Sequence, residues 1–298
     1  MELRVLRYFL TVAEEKSFTG AANRLHVTQP TLSRQIRDLE EELGADLFLR
    51  GKRKIELTEA GLFLRRRAGE ILELAAKTRA AFAESETGIS GDVSLGGGET
   101  DAMRLVARTV RKVRQRHPNI RFHIFSGNAE DVAERLDRGL VDFGIFIRPA
   151  NLEKYEYLSL PVSDVWGLLI RKDDPLAART SIRPQDLAAL PLICSRQTMV
   201  ANELAGWMGE GFDRLTFVAT YNLLYNAALM VEEGIGVALC LDGIADTSDT
   251  SQLCFRPLEP ALKVGLDVAW KKRQVFSRAA AEFRAFLQRE IAGSVAQP

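Results

Sequence analysis

The sequence predicts an α+β multidomain chain: an N-terminal winged helix-turn-helix, a long linker helix and a C-terminal α/β domain. Three observations carry this expectation. Three short amphipathic helical patterns and two alternating strand segments fill residues 3–57. A proline-free run rich in Ala, Glu, Leu, Arg and Lys covers 58–86. From Asp92 onward, short apolar strands alternate with helices. The length of 298 residues fits two domains, since a domain takes about 100–200 residues.

The hydrophobic fraction of 46% and the charged fraction of 27% suit a protein that buries a sizeable core. No segment approaches the apolar length of a transmembrane helix, so no membrane partner is expected. Met1-Glu2-Leu3-Arg4 does not read as a secretion signal, which points to a cytoplasmic location. The three cysteines, Cys194, Cys240 and Cys254, lie far apart without a CxxC, so buried small hydrophobes are expected rather than disulfides or zinc ligands. A net charge of +0 argues against a protein that coats nucleic acid indiscriminately. It leaves room for a site-specific binder, which needs only local basic surface such as Arg50-Gly51-Lys52-Arg53-Lys54 or Arg65-Arg66-Arg67.

Residues 3–15 place Leu6, Phe9, Leu10 and Ala13 on one helical face. Ser17 can cap the next helix, where Ala21, Ala22 and Leu25 permit a close crossing. After the turn His26-Val27, Thr28 can cap a third helix with Pro30 in its first turn, where a missing N–H costs nothing. Leu32, Ile36, Leu39 and Leu43 form its expected buried face, and Gly44 its C-terminal cap. The other side shows Thr31, Ser33, Arg34 and Arg37, with Gln29 at the tip. Leu47-Phe48-Leu49-Arg50 and Lys54-Ile55-Glu56-Leu57 then alternate around Gly51-Lys52-Arg53, as a two-stranded wing does.

These are residues a recognition helix uses. Gln bonds adenine and Arg bonds guanine in bidentate fashion, while an open helix N-terminus favours phosphate. A basic wing tip would meet backbone or minor groove. The alternative is a plain packing unit whose charges form a solvated face. Phe9 to Gly61 closely resembles the LysR-family signature: Phe18-Thr19, Ala21-Ala22, Leu25, Thr28-Gln29-Pro30, Leu32-Ser33, Ile36, Leu39-Glu40, Leu43-Gly44, Leu47-Phe48, Arg50 and Leu57-Thr58-Glu59-Ala60-Gly61. Lys16 departs from it, standing where the family usually has Gly. The resemblance implies a sequence-specific transcriptional regulator that binds double-stranded operator DNA. It makes Gln29, Pro30, Thr31, Ser33 and Arg34 the groove-facing set. Arg37 and Arg50 then contact phosphate, and Arg53 sits in the wing.

In the long helix, Leu64, Ala68, Ile71, Ala75, Thr78 and Phe82 recur as a heptad seam, a face suited to another helix. The alternative is one helix packed on its own domain. The resemblance implies the former: a homodimer, assembling to a tetramer, whose two recognition helices meet a two-fold symmetric site. Gly88 to Gly91 reads as a hinge. The expected boundaries are 1–58 for the DNA-binding domain, 59–89 for linker and hinge, and 90–298 for the last domain.

In that domain the strands are expected at 93–95, 120–125, 141–147, near 164–170, 191–194, 214–219, 236–241 and 263–270. Helices are expected at 99–116, 128–138, and near 199–209, 222–232 and 276–291. The alternation resembles the type 2 periplasmic-binding-protein-like fold of LysR effector domains. That implies lobe 1 at about 92–160 and 266–295 and lobe 2 at about 161–265, with crossovers near Pro161 and Lys263. Ligands of open α/β sheets sit beyond the carboxyl ends of strands. The residues there are Gly98, Glu99 and Thr100, Ser126 and Asn128, Arg148, Ser195 and Arg196, and Tyr221 and Asn222. Each could instead cap a helix or solvate a loop. Together they suit a small polar effector, and Arg148 and Arg196 favour a carboxylate. The family often places Ser or Thr where this chain has Gly98. Either Thr100 substitutes, or Glu99 faces the cleft and favours a cationic or hydroxyl-bearing effector.

His26, His117 and His123 do not cluster, and no catalytic or metal-ligating spacing emerges, so neither an enzyme nor a cofactor is expected. Gly96-Gly97-Gly98 lacks the spacing of a nucleotide-binding loop. The rival readings are an extracytoplasmic solute-binding protein, which the DNA-binding front end opposes, and an enzyme on the same scaffold. RNA polymerase enters as a partner if the protein is an activator.

Overall fold

The computed structural model describes residues 1–50, 55–82, 88–196 and 203–295. The chain divides into two compact units, Met1–Ala83 and Glu84–Pro298.

The first unit opens with α1 (Leu3–Glu15), α2 (Phe18–Leu25) and α3 (Gln29–Leu43). Strands β1 (Phe48–Arg50) and β2 (Ile55–Leu57) follow, and α4 (Glu59–Phe82) completes it. The expected caps are in place. Ser17 Oγ accepts from Gly20 N at 3.1 Å, Thr28 Oγ1 from Thr31 N at 3.4 Å, and Thr58 Oγ1 from Gly61 N at 3.0 Å. Gly44 ends α3 with φ +66°, a conformation that suits glycine. The core joins Phe9, Leu32, Ile36 and Leu39 to the wing through Phe48, whose ring lies 5.3 Å from that of Phe9. Leu43, expected inside, is 43% exposed, because the last turn of α3 runs past this core. Glu40 goes inside instead. Its carboxylate accepts from Leu47 N at 2.9 Å and Phe48 N at 3.4 Å, holding the entry to β1 against α3.

The start of α4 is pinned to the same loop. Thr58 Oγ1 donates to the Asp46 carbonyl at 2.6 Å, and a Cβ at Gly61 would sit 2.1 Å from the Leu47 carbonyl oxygen. Only glycine fits there. The first half of the expected heptad seam is also used here. Leu64 and Ala68 are buried in the core of this unit, and Ile71 packs against it. Among the described side chains of α4, the large apolar ones that are exposed are Leu62, Phe63 and Leu74.

In the second unit the described strands form one sheet of nine, in the order β4-β3-β5-β11-β6-β9-β7-β8, with β10 on β6. They are β3 (Gly91–Gly97), β4 (Ile120–Ser126), β5 (Phe143–Ile147), β6 (Tyr155–Arg171), β7 (Pro191–Ser195), β8 (Thr216–Tyr221), β9 (Val237–Leu241), β10 (Leu253–Pro257) and β11 (Lys263–Lys271). The helices are α5 (Met103–Arg116), α6 (Ala129–Asp137), α7 (Pro184–Leu187), α8 (Glu203–Met208), α9 (Leu224–Glu232) and α10 (Arg278–Val295). Strand β6 is much longer than its expected segment, and β10 falls where no strand is expected.

Strands β6 and β11 run antiparallel through both lobes. Their register slips between Gly265 and Asp267, opposite residues 159–163. Pro161 lies in that stretch and has no N–H to give the ladder, which suits a bulge. On one side β3, β4 and β5 pack on a core of Val93, Leu105, Phe143 and Phe283. On the other, β7, β8 and β9 pack on Leu168, Leu192, Leu204 and Leu239. Cys194, Cys240 and Cys254 form no disulfide and are buried, and burial pushes the Cys240 thiol well up. Gly88 and Gly91 hold φ of +119° and +129°, conformations that L side chains rarely adopt. No described helix is long and apolar enough to cross a membrane.

Replacing Glu40 with Ala leaves two buried backbone donors without their acceptor. A cost of about 1–3 kcal/mol per orphaned group is expected. Calorimetry of the full chain should show a lowered transition for the first unit, by about 4–8 °C for each kcal/mol lost. Glu40→Gln keeps an acceptor and should lose much less. An unchanged transition in Glu40→Ala would remove this clamp from the account of the fold.

Candidate functional site

Helix α3 offers the first candidate surface. Pro30, Ser33, Arg34 and Arg37 recur at the spacing of one helical face, opposite the buried Leu32 and Leu39. Gln29, Pro30, Thr31, Arg34 and Arg37 are exposed and Ser33 is half-buried. Neither arginine forms an ion pair among the described residues, so both guanidinium groups remain available to a partner. The first turn of α3 carries no acidic residue, leaving its positive end open to an anion. The Thr31 and Thr28 hydroxyls are 2.8 Å apart, so the cap also orients Thr31. Arg50 closes β1 opposite Ile55. Arg53 lies outside the described residues.

The second candidate is a cleft at the carboxyl ends of the strands of the second unit. Two adjoining cavities share Gly98, Glu99 and Ile244 in their walls. The larger, about 320 Å³, lies beside β3 and is walled by Thr100, Asp101, Arg104, Ser126 and apolar side chains. The smaller, about 70 Å³, takes Asn128, Arg148, Ser195, Tyr221 and Asn222 into its wall. The structure thus brings together Gly98, Glu99, Thr100, Ser126, Asn128, Arg148, Ser195, Tyr221 and Asn222. Arg196 is exposed and belongs to neither wall, because the chain has already left the end of β7 there.

The chemistry of several residues differs from the expectation. Arg148, expected to favour a carboxylate, already holds one of the protein's own. Its Nε and Nη2 donate to the two oxygens of Asp267 at 2.8 and 2.7 Å, and Nη2 also reaches Ser159 Oγ at 2.7 Å. Asp267 is only 3% exposed, so this bidentate pair neutralises a buried carboxylate and the arginine is committed to it. The Thr100 hydroxyl donates to Asp164 and accepts from Ala102 N at 3.1 Å. Asp164 is buried, and its pKa is raised by burial first and then by Asp101 and Asp242, against the opposing bond from Thr100.

Tyr221 Oη donates to the Leu239 carbonyl at 2.8 Å, so only its ring serves the wall. Asn128 caps α6 through Oδ1, which accepts from Asp131 N at 2.9 Å. Its position in the wall and its role as a cap are both real. Helix α9 has no cap from its own preceding side chain. Glu99 supplies one from the other lobe, accepting from Leu224 N. Gly98 is not demanded by crowding, since a Cβ there would meet Ile147 at an ordinary 3.4 Å.

Sequence reasoning missed Trp166 and Ile244, which come from β6 and the loop after β9 and carry no motif. The Trp166 indole is nine-tenths buried, and its N–H has no hydrogen-bond partner among the described residues. No described group of His, Cys, Asp and Glu is placed to hold a metal ion.

Two family models match this architecture. Residues 3–62 match "Bacterial regulatory helix-turn-helix protein, lysR family", and residues 86–292 match "LysR substrate binding domain". The chain is 31% identical over 303 residues to the Hca operon transcriptional activator HcaR of Escherichia coli (strain K12), covering 99% of this chain and 100% of that protein. It is 35% identical over 200 residues to the transcriptional regulator AlsR of Bacillus subtilis (strain 168), covering 65% and 64%. Its fold is similar to that of full-length CbnR, crystallised with its target DNA. The TM-score is 0.76 at 22% identity, covering 97% of this chain and 100% of that one. Helix-turn-helix and effector domain are both matched over nearly their whole lengths, and the chain belongs to the LysR family of bacterial transcriptional regulators.

Proposed function

We propose that this regulator binds a two-fold symmetric operator in double-stranded DNA as a homodimer, and that a small polar molecule held in the cleft controls that binding. The observation that carries the DNA reading is the exposed face of α3: two unpaired arginines beside an open helix N-terminus, backed by a rigid core. Arg34 on a guanine edge and Arg37 on phosphate divide the work between specificity and register. CbnR, which shares the fold and was crystallised in complex with its target DNA, supports this use of it.

The dimer reading transfers from the Leu64–Ala68–Ile71 seam, which packs on its own domain, to the exposed Phe63 and Leu74, eleven positions and about three turns apart on α4. A second copy of α4 is the partner that would cover them. The cleft reading rests on two cavities whose walls come from both lobes of a matched effector domain. A ligand there acts on DNA binding only through its differential affinity for two arrangements. DNA must then change ligand affinity by the same factor.

Arg34→Ala is expected to lose about 1–3 kcal/mol of binding to the specific site, with specificity relaxed at one base pair. Arg53→Ala should weaken all DNA more evenly and make the salt dependence shallower. Titrating each variant against specific and scrambled duplexes at two salt concentrations checks both, and full specific affinity in a folded Arg34→Ala protein would reject the assigned face. Sedimentation tests assembly. Phe63→Glu with Leu74→Glu should yield monomers that bind a full operator weakly, whereas an intact dimer would move the interface off α4.

A further inference from the structure

The cleft holds more carboxylates than free cations. Its walls contain two arginines and, among the described residues, no lysine. Arg148 is committed to Asp267, and Arg104 Nε donates to Asp101 Oδ1 at 2.6 Å. Glu99 has no cation beside it among the described residues. It stands between the two cavities and accepts from Leu224 N, the start of α9. That helix N-terminus, a feature that attracts anions, is therefore already occupied by the protein's own carboxylate. Behind the larger cavity the Thr100 hydroxyl bonds the buried Asp164, whose pKa is raised by burial first and then by Asp101 and Asp242. The remaining wall of the larger cavity is apolar, with Met103, Ile124, Ile145 and Ile244.

Resting on the reading of this cleft as the effector site, we infer that the effector is a small organic cation, an amine with an apolar body whose charged group faces Glu99. A carboxylate ligand would enter beside a like charge that no described cation pairs, and the two arginines of the walls already bond Asp267 and Asp101. An amine finds an acceptor for its N–H groups and a counter-charge, while its body fills the apolar part of the larger cavity. The cavity of about 320 Å³ is at the small end for ligand sites, which suits a metabolite of this size.

The test uses the full chain and three matched probes, benzylamine, benzyl alcohol and benzoate, by titration calorimetry and thermal shift. Benzylamine is expected to bind and raise Tm, benzyl alcohol to bind more weakly, and benzoate not to bind. Glu99→Gln keeps an acceptor for Leu224 N–H but removes the charge. It should weaken benzylamine by about tenfold or more and leave it no better than the alcohol. Gly98→Leu, at a position with room for a side chain, fills the space both cavities share and should abolish binding. Circular dichroism checks that both variants are folded.

Benzoate binding as tightly as benzylamine, no binding of benzylamine, or wild-type benzylamine affinity in Glu99→Gln each overturns the inference. If Gly98→Leu still abolishes binding of whichever probe does bind, the cleft remains the effector site and only the charge assignment fails. Binding that survives both substitutions removes the cleft reading itself.

Discussion

The second unit depends on one strand pair. Strands β6 and β11 are the only path by which the described sheet passes from one lobe to the other, and their register slips once, at the crossing. Asp267 is buried at that slip. A carboxylate there is tolerable only because Arg148, just after β5, and Ser159, within β6, bond it. Removing the arginine would leave a charge in a site with little water, the costly half of a buried pair. The pair therefore fixes where β5 ends against β11, and with it where the cleft wall begins. Arg148, in the cleft wall, thus carries a structural duty as well.

The first unit solves a similar problem with a different carboxylate. A wing must be held to the helix it flanks, although β1 and β2 are too short to be stable alone. Glu40 bonds the backbone entering β1, while Thr58 and Gly61 bring the start of α4 against the same loop. The exposed face of α3 is thus presented by a helix fixed on its opposite side. On the proposed reading, that support would let a few side chains at its N-terminal end read base edges without the entropy cost of first ordering the backbone.

Charge in the cleft is settled by pairing rather than by composition. The wall residues include Glu99, Asp101, Arg104 and Arg148, which look balanced. Each arginine is paired with one of the protein's own carboxylates, and Glu99 reaches across the lobes to cap α9. On the proposed reading, a ligand in this cleft would meet the Glu99 carboxylate beside the apolar side chains of the larger cavity. The contact from Glu99 to Leu224 also joins the two lobes directly, so any ligand that changes it changes how the lobes stand toward one another.

The winged helix-turn-helix was legible in the residues themselves, with its caps at Ser17, Thr28, Thr58 and Gly44 and the polar face of α3. So was the alternating α/β pattern of the second unit. These rest on local rules: hydrophobic period, capping residues and strand ends act within a few residues of one another. Other features needed the folded chain. Leu43 is outside and Glu40 inside, Leu64 and Ala68 belong to the core of their own domain, and Arg148 answers to Asp267. Arg196 stands off the cleft while Trp166 and Ile244 line it. The decisive partners are far away in sequence, 119 residues for Arg148 and Asp267 and 125 for Glu99 and Leu224. A periodicity shows that a residue has a buried face or a free charge; which distant group takes that face or that charge is fixed only when the strands pair and the lobes close on one another.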